Sequence, residues 1–354
     1  MAAAERRGGM DGDRAGLVMV KAEPFNAETP LAGLREPVTP TPLHYVRSNF
    51  PLPAHDGTLR VEGAVERPLR LSLDELRALG SEELTVTLEC AGNGRTGLMP
   101  LPTGEPWATG AVATARWAGV PLHRVLEGAT PRADGVEVYF EGADHGPYRG
   151  GPVIHFARSL PLARAADPAA QVLVAWGMNG EPLNPDHGAP LRLLVPGWYG
   201  MASVKWLSRI EVLTAPYAGQ FQTKSYVFEW PDREWEPVRE MRPRALFTDP
   251  APDTVLPRGT VAVRGKAWSG AGPIVKVEIS IDGAGEWRPA ELAPPAGARL
   301  WQEWSFDWAI ADAGRHVLRA RATDATGAVQ PDRPEWNRLG YGNNAVQVLL
   351  VDVR

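Results

Sequence analysis

Leu84–Arg95 reads LTVTLECAGNGR. Leu84, Val86 and Leu88 alternate with Thr85, Thr87 and Glu89, the period-two signature of a strand. The strand delivers Cys90, the single cysteine among 354 residues, into a loop of Ala, Gly, Asn, Gly and Arg. A core thiol usually behaves as a small hydrophobe inside an apolar strand. This one stands where the strand stops. Gly92 and Gly94 permit positive φ and close approach of the main chain to a ligand, and the Arg95 cation favours thiolate over thiol. The pattern suits a reactive or metal-bound sulfur. A nucleophilic cysteine needs a base. Spacing assigns that role to none of the seven histidines (His44, His55, His123, His145, His155, His187, His316), so a Cys-His hydrolase stays open at this point.

Around this stretch strand and helix patterns mix. GTLRVEGAV, GVEVYFEG and LRLLVPG read as strands. In SLDELRALG, Ser72 with Glu75 forms a capping-box pattern and Gly80 a stop. VPLHRVLEGA reads as a helix after Pro121, stopped at Gly128, and SLPLARAADPAAQVLVAW runs from helix into strand. Helices and strands do not alternate regularly, so the fold class expected is α+β rather than a doubly wound sheet. After about residue 214 comes a segment dense in Pro, Trp, Arg and Glu, and beyond it GTVAVRGKAW, IVKVEISID, WQEWSFDWAI, GRHVLRARATD and NAVQVLLVDV all alternate. Short strands separated by turns predict an immunoglobulin-like β-sandwich. The expected division is a disordered tail at 1–20, a first domain at 21–214, a connecting segment at 215–240, and a sandwich at 241–354.

A formal net charge of -5 argues against nucleic-acid binding. One cysteine excludes a disulfide framework, a protein-ligated iron–sulfur cluster, a CxxCH haem attachment and a Cys-rich zinc site. The opening MAAAERRGGMDGDRAG has no apolar run for an export signal, and no stretch of about 18 apolar residues marks a membrane span. The expected compartment is cytoplasmic.

Two further stretches collect candidate groups. Asn179–Leu207, NGEPLNPDHGAPLRLLVPGWYGMASVKWL, sets His187, Arg192, Ser203 and Lys205 about a strand and a Gly-bounded loop, a donor set suited to a phosphate. Leu43–Pro53, LHYVRSNFPLP, places Arg47 among aromatic and proline residues, where a cation calls for an anionic partner.

In this order the three stretches resemble the sulfite oxidase family of molybdenum enzymes. WATGAVATARWAGVPL (Trp107–Leu122), VYFEGAD (Val138–Asp144) and SLPLARAADPAAQVLVAWGMNGEPL (Ser159–Leu183) fit as well, and the sandwich is similar to that family's dimerisation domain. The resemblance implies that Cys90 ligates molybdenum beside the dithiolene of a molybdopterin. It implies that Arg47 and Arg95 draw in the substrate, that Tyr226 in TKSYVFE is the active-site tyrosine, and that Trp107 walls the pocket. Asp144, His187, Arg192, Ser203 and Lys205 match positions that hold the pterin and its phosphate, with Asn49 and His145 added and Arg47 shared. The implied reaction is oxidation of sulfite, or a similar small oxyanion, by oxygen-atom transfer in a homodimer.

With no haem domain, no iron–sulfur cluster and no flavin domain expected, electrons pass to an external acceptor, dioxygen or a redox protein. The chain departs from the animal members in three places. Ser48-Asn49 follows Arg47, no lysine lies between Arg95 and Trp107, and the WNxR arginine is displaced by one to Arg338. Two alternatives accompany the reading: a reductase of nitrate or a sulfoxide on the same fold, and a cofactor-free binding protein.

Overall fold

The computed structural model describes residues 14–283, 285–297 and 299–354. Of the tail expected at 1–20, residues 1–13 lie outside the described residues. The remainder corrects the expectation. Val18–Lys21 (β1) pairs antiparallel with Asn26–Glu28 (β2), and Arg14 forms a two-pronged ion pair with Asp186 at 2.6 and 2.8 Å. Backbone pairing and a charged anchor hold residues that composition alone reads as loose.

Among the described residues, the first part of the chain builds two main sheets. One runs β10–β9–β6–β5 (Glu181–Pro182, Leu173–Met178, Val112–Pro121, Glu82–Glu89), with β11 (Arg192–Leu194) also on β9. The other runs β4–β3–β12–β7–β8 (Leu69–Ser72, Thr58–Gly63, Leu207–Leu213, Glu137–Pro147, Val153–Pro161); within it β12 lies parallel to β3. The expected helix at Leu73–Ala78 carries the full capping box between Ser72 and Glu75. Leu122–Ala129 is also helical, but it runs through Gly128 and ends with Thr130 in the left-handed region at φ 55°. The anticipated helix in SLPLARAADPAA shrinks to Leu162–Ala165 and a single turn at Pro168–Ala170. Asp167 caps the second turn, and Pro168 cannot sit inside a continuous helix.

The short pair β13–β14 (Val227–Phe228, Glu236–Pro237) lies in the connection. Beyond it stand two facing sheets, β15–β17–β21–β20 (Arg244–Asp249, Gly259–Trp268, Gln302–Ile310, Glu291–Leu292) and β16–β23–β22–β18–β19 (Val255–Leu256, Gln347–Val353, Gly314–Asp324, Ile274–Ile281, Arg288–Pro289). Val263, Val277, Leu318, Trp304 and Val351 fill the space between them. The class is the α+β-plus-sandwich architecture expected, with less helix than the sequence patterns promised.

The alternation of β5 reads as one dry and one wet face, yet Thr87 and Glu89 are each only 1% exposed. The sandwich covers them. The Trp301 amide donates to Thr87 Oγ1 at 2.8 Å, and the Thr87 amide to the Arg299 carbonyl at 2.9 Å. Trp268, Trp301 and Leu339 from the C-terminal region belong to the same apolar cluster as residues of the first two sheets. The strand that ends in Cys90 is therefore packed between two halves of the molecule.

Candidate active site

The loop after β5 answers why glycine, asparagine and arginine follow the cysteine. A Cβ on Gly92 would lie 2.7 Å from the Arg95 guanidinium nitrogens, so glycine makes room for that side chain. Asn93 donates to Glu89 Oε1 at 2.9 Å and accepts from the Ala111 amide at 3.1 Å, tying the loop to β5 and to the start of β6. Gly94, at φ 81°, turns the chain into the short turn Arg95–Gly97. The Arg95 guanidinium donates to the carbonyls of Glu105 (2.6 Å) and Leu339 (3.1 Å).

Cys90 is 7% exposed and lies on the wall shared by two cavities. The inner one, about 630 Å³, is lined by Asp144, His187, Arg192, Ser203 and Lys205 together with His44, Tyr45 and Asp186. The outer one, a funnel of about 860 Å³, is lined by Arg95, Trp107, Tyr148, Tyr341, Glu105 and Lys21 among others. Arg47, Asn49, Cys90 and Tyr226 line both. Of the candidates from sequence, only His145 lines neither. Its Nδ1 faces the Ala143 carbonyl at 2.9 Å and its ring lies against His155, 4.9 Å between centroids. Arg338 also stays out, in a two-pronged pair with the buried Glu229 carboxylate.

Arg47 reaches the junction from the extended segment after Val46. It donates to the Ser48 carbonyl and, at 2.7 Å, to Asn49 Oδ1. No carboxylate pairs with Arg47 or Arg95 among the described residues. Both guanidiniums thus keep their positive charge for something in the cavities. Tyr226 follows the five-residue helical turn Gln220–Lys224 and takes the left-handed φ of 55°, rare for a bulky residue. Asn49 Nδ2 donates to its hydroxyl at 3.3 Å, leaving the hydroxyl proton free for a ligand. Burial pushes the Tyr226 pKa up, opposed first by Arg47. Burial also raises the Cys90 thiol, while Arg47, the Gly92 amide and Arg95 pull it down.

In the inner cavity Lys205 Nζ donates to Ser48 Oγ (2.8 Å) and the Asp186 carbonyl (2.9 Å), and Ser203 Oγ accepts from the Val195 amide at 3.0 Å. Burial drives Lys205 down to about 7, with Arg192 adding repulsion, and burial drives Asp144 up to about 7. His187 falls to about 3 through burial beside Arg192 and Lys205.

Sequence reasoning missed several groups. In the sequence His44 is only one histidine of seven, yet its ring meets His187 edge-on at 4.9 Å. Lys21 enters the funnel from β1 and pairs with Glu105 at 3.3 Å. Tyr341 stacks on Tyr226, 5.2 Å between centroids. The tyrosine comes from the sandwich and the lysine from the last residue of β1, just past the expected tail at 1–20, so no local spacing could have signalled either.

The family described as "Oxidoreductase molybdopterin binding domain" matches residues 48–221, and "Mo-co oxidoreductase dimerisation domain" matches residues 236–352. Mitochondrial sulfite oxidase of Mus musculus is 37% identical across 93% of this chain, which spans 64% of that relative's length. Sulfite oxidase of Gallus gallus is 38% identical over 93% of this chain and 76% of its own. The solved structure of the sulfane dehydrogenase SoxCD from Paracoccus pantotrophus superposes with a TM-score of 0.81 at 28% identity, covering 93% of this chain and 84% of that one. On the matched domains, the relatives and the shared architecture, the chain belongs to the sulfite oxidase family of molybdopterin-dependent oxidoreductases.

Proposed function

We propose that this chain holds the molybdenum cofactor in the inner cavity and oxidises sulfite to sulfate, passing electrons to an external acceptor such as dioxygen or a redox protein. The observation that carries the reading is the position of Cys90, a lone thiol on the common wall of a donor-rich cavity and a funnel lined by three guanidiniums, those of Arg47, Arg95 and Arg149. When bound, the cofactor supplies oxygen-atom transfer and two-electron redox chemistry. The balance is sulfite plus water to sulfate, two protons and two electrons.

The residues fit such a group. His44 Nε2, Asp144 Oδ1 and Arg192 Nε are buried, line the inner cavity and have no hydrogen-bond partner. Buried polar atoms are normally satisfied, so these favour a ligand that both donates and accepts, as a pterin does. His44 Nδ1 faces the Tyr45 carbonyl at 3.0 Å and carries the proton, which leaves Nε2 an acceptor. Lys205, Arg192 and Ser203 suit a phosphate, and an anion beside Lys205 restores the charge that burial works against. Among the described residues no three His, Cys, Asp or Glu side chains gather as a metal site. Cys90 therefore suits a metal whose other donors come from an organic ligand, and soft thiolate is an apt donor.

In this reading Arg47 and Arg95 bind the oxyanion, and Trp107, fully buried, walls it from water. Tyr226 donates a hydrogen bond from its free hydroxyl proton at the junction of cavity and funnel. We further read the chain as a cofactor domain at 21–214, a bridging segment at 215–240 that contributes Tyr226, and a sandwich at 241–354 that pairs with a second copy by two-fold symmetry. The family description of residues 236–352 supports the pairing. Among the described residues no helix is long and apolar enough to cross a membrane.

A second reading, oxidation of a sulfane sulfur, is favoured by the likeness to the Paracoccus pantotrophus enzyme. One experiment separates these readings. Purified holoenzyme is analysed for molybdenum and assayed with sulfite, a sulfane sulfur compound, nitrate and methionine sulfoxide, each acceptor or donor offered in turn. Stoichiometric molybdenum with sulfite-dependent acceptor reduction is expected, and Cys90→Ser should keep the circular dichroism spectrum and lose turnover. A folded protein without molybdenum, or full turnover by Cys90→Ser, sinks the proposal.

A further inference from the structure

Arg158 lies on β8, is 2% exposed, and lines neither cavity. One guanidinium nitrogen donates to the Phe221 carbonyl, and its Nε has no partner. Its strongest charged and titratable neighbours are Tyr226, Tyr341, Tyr217 and the cation Arg239, and among the described residues no carboxylate forms an ion pair with it. A buried charge without a counter-charge is strongly unfavourable unless something else compensates it. Burial lowers its pKa to about 10, so it stays a cation at neutral pH.

What it faces is the active-site tyrosine. The Arg158 guanidinium carbon lies 5.9 Å from the centroid of the Tyr226 ring. Tyr226 stacks on Tyr341, and Arg95 lies 5.2 Å from the Tyr341 centroid on the funnel side. The stacked pair thus has a guanidinium near each ring, one in the funnel and one behind it. Meanwhile the arginine of the C-terminal WNR segment is spent elsewhere, since Arg338 is neutralised by Glu229 with its side chain 58% exposed. The funnel itself contains Glu105, whose charge is offset by Lys21, and a further arginine, Arg149, beside Arg47 and Arg95.

We propose that Arg158, buried behind Tyr226, adds a positive charge to the oxyanion site beyond the arginines that line the funnel, acting through the tyrosine pair rather than by contact. This rests on the anion-binding reading above and deepens it: the substrate class is an oxyanion, and part of its affinity comes from a cation it never touches. In a buried setting such a field is weakly screened by salt and by water. Arg158 is a positioning and field residue, since it touches neither substrate nor cofactor cavity.

The alternative is purely structural, with Arg158 serving only to anchor the Phe221 carbonyl and hence the turn before Tyr226. Two variants part these roles. Arg158→Lys keeps the charge and a donor; Arg158→Gln keeps a donor without charge. The holoenzymes are compared by KM and kcat for sulfite and by calorimetric titration with sulfate. Arg158→Gln should raise the sulfite KM and the sulfate Kd roughly tenfold with a smaller effect on kcat, while Arg158→Lys stays within about threefold of the parent. The double variant Glu229→Gln/Arg338→Gln should leave both constants unchanged.

Equal effects of Lys and Gln, or a large rise in KM from the double variant, would overturn the proposal. Where Arg158→Gln does not accumulate, Arg158→Met is the neutral variant compared with Arg158→Lys, by the same criterion. Failure of the parent enzyme to oxidise sulfite would strike the sulfite reading alone; the sulfate titration still decides whether Arg158 serves an anion.

Discussion

Cys90 and the two arginines beside it occupy different electrostatic positions despite their shared cavity. Burial works against the thiolate, and Arg47 is the first group to oppose that effect. Arg47 is held by neutral oxygens only, and Arg95 by main-chain carbonyls. An anion in the funnel would therefore meet two guanidiniums, neither of them in an ion pair with a carboxylate among the described residues. Truncating either one should weaken sulfite binding by roughly 2–5 kcal/mol. Steady-state kinetics of Arg47→Ala and Arg95→Ala should show the loss mainly in KM, with molybdenum content retained. Loss of the metal from Arg47→Ala would assign it to the cofactor instead.

The histidine pair predicts a pH dependence. Burial and the neighbouring Arg192 and Lys205 hold His187 neutral down to about pH 3, and His44 is likewise depressed. Between about pH 6.5 and pH 3 the unfolded chain takes up a proton that the folded chain refuses, so acid favours unfolding across that window. The stabilisation is fully present above pH 6.5. Cofactor-free protein should lose several kcal/mol over the window, and His187→Gln should flatten the profile in denaturant titrations. An unchanged slope in that variant would remove His187 from the account.

At the scale of elements, the end of β5 is fastened to the sandwich by one buried carboxylate. Glu89 accepts from Arg244 (3.0 Å), Asn93 (2.9 Å) and Trp268 Nε1 (2.9 Å). Arg244 also donates to the carbonyls of Asn93 and Asn343, and Asn343 donates to the Gly94 carbonyl at 2.6 Å. Breaking a buried pair on one side costs about 3–5 kcal/mol, because the surviving charge is left without a partner. Arg244→Met should therefore unfold at markedly lower denaturant, and Glu89→Gln/Arg244→Met should recover much of the loss. No recovery in the double variant would mean that packing rather than charge explains the effect.

Across the whole molecule, the sandwich has one job seen in its contacts and a second that is proposed. One follows from its contacts within the chain: Leu339 holds Arg95, and Tyr341 stacks on Tyr226. The other, pairing with a second copy, predicts a solution mass near twice the 38.4 kDa of the chain. Light scattering at micromolar concentration checks it, and a stable monomer would contradict it. Because the same region shapes the funnel, a variant that breaks the dimer can alter turnover without touching the cofactor domain.

Local chemistry determined much of this protein. The alternation of the C-terminal strands, the Ser72 capping box and the CAGNGR turn are nearest-neighbour matters, legible because side-chain period and turn geometry act over a few residues. The candidates Arg47, Cys90, Arg192 and Lys205 were legible too, since a cation or thiol in apolar company needs a reason wherever it ends up. Burial of Thr87 and Glu89, entry of Lys21 and Tyr341 into the funnel, and the exclusion of His145 and Arg338 were decided only by tertiary structure. Each depends on which distant surface covers which face, and neither period nor spacing in the chain encodes that.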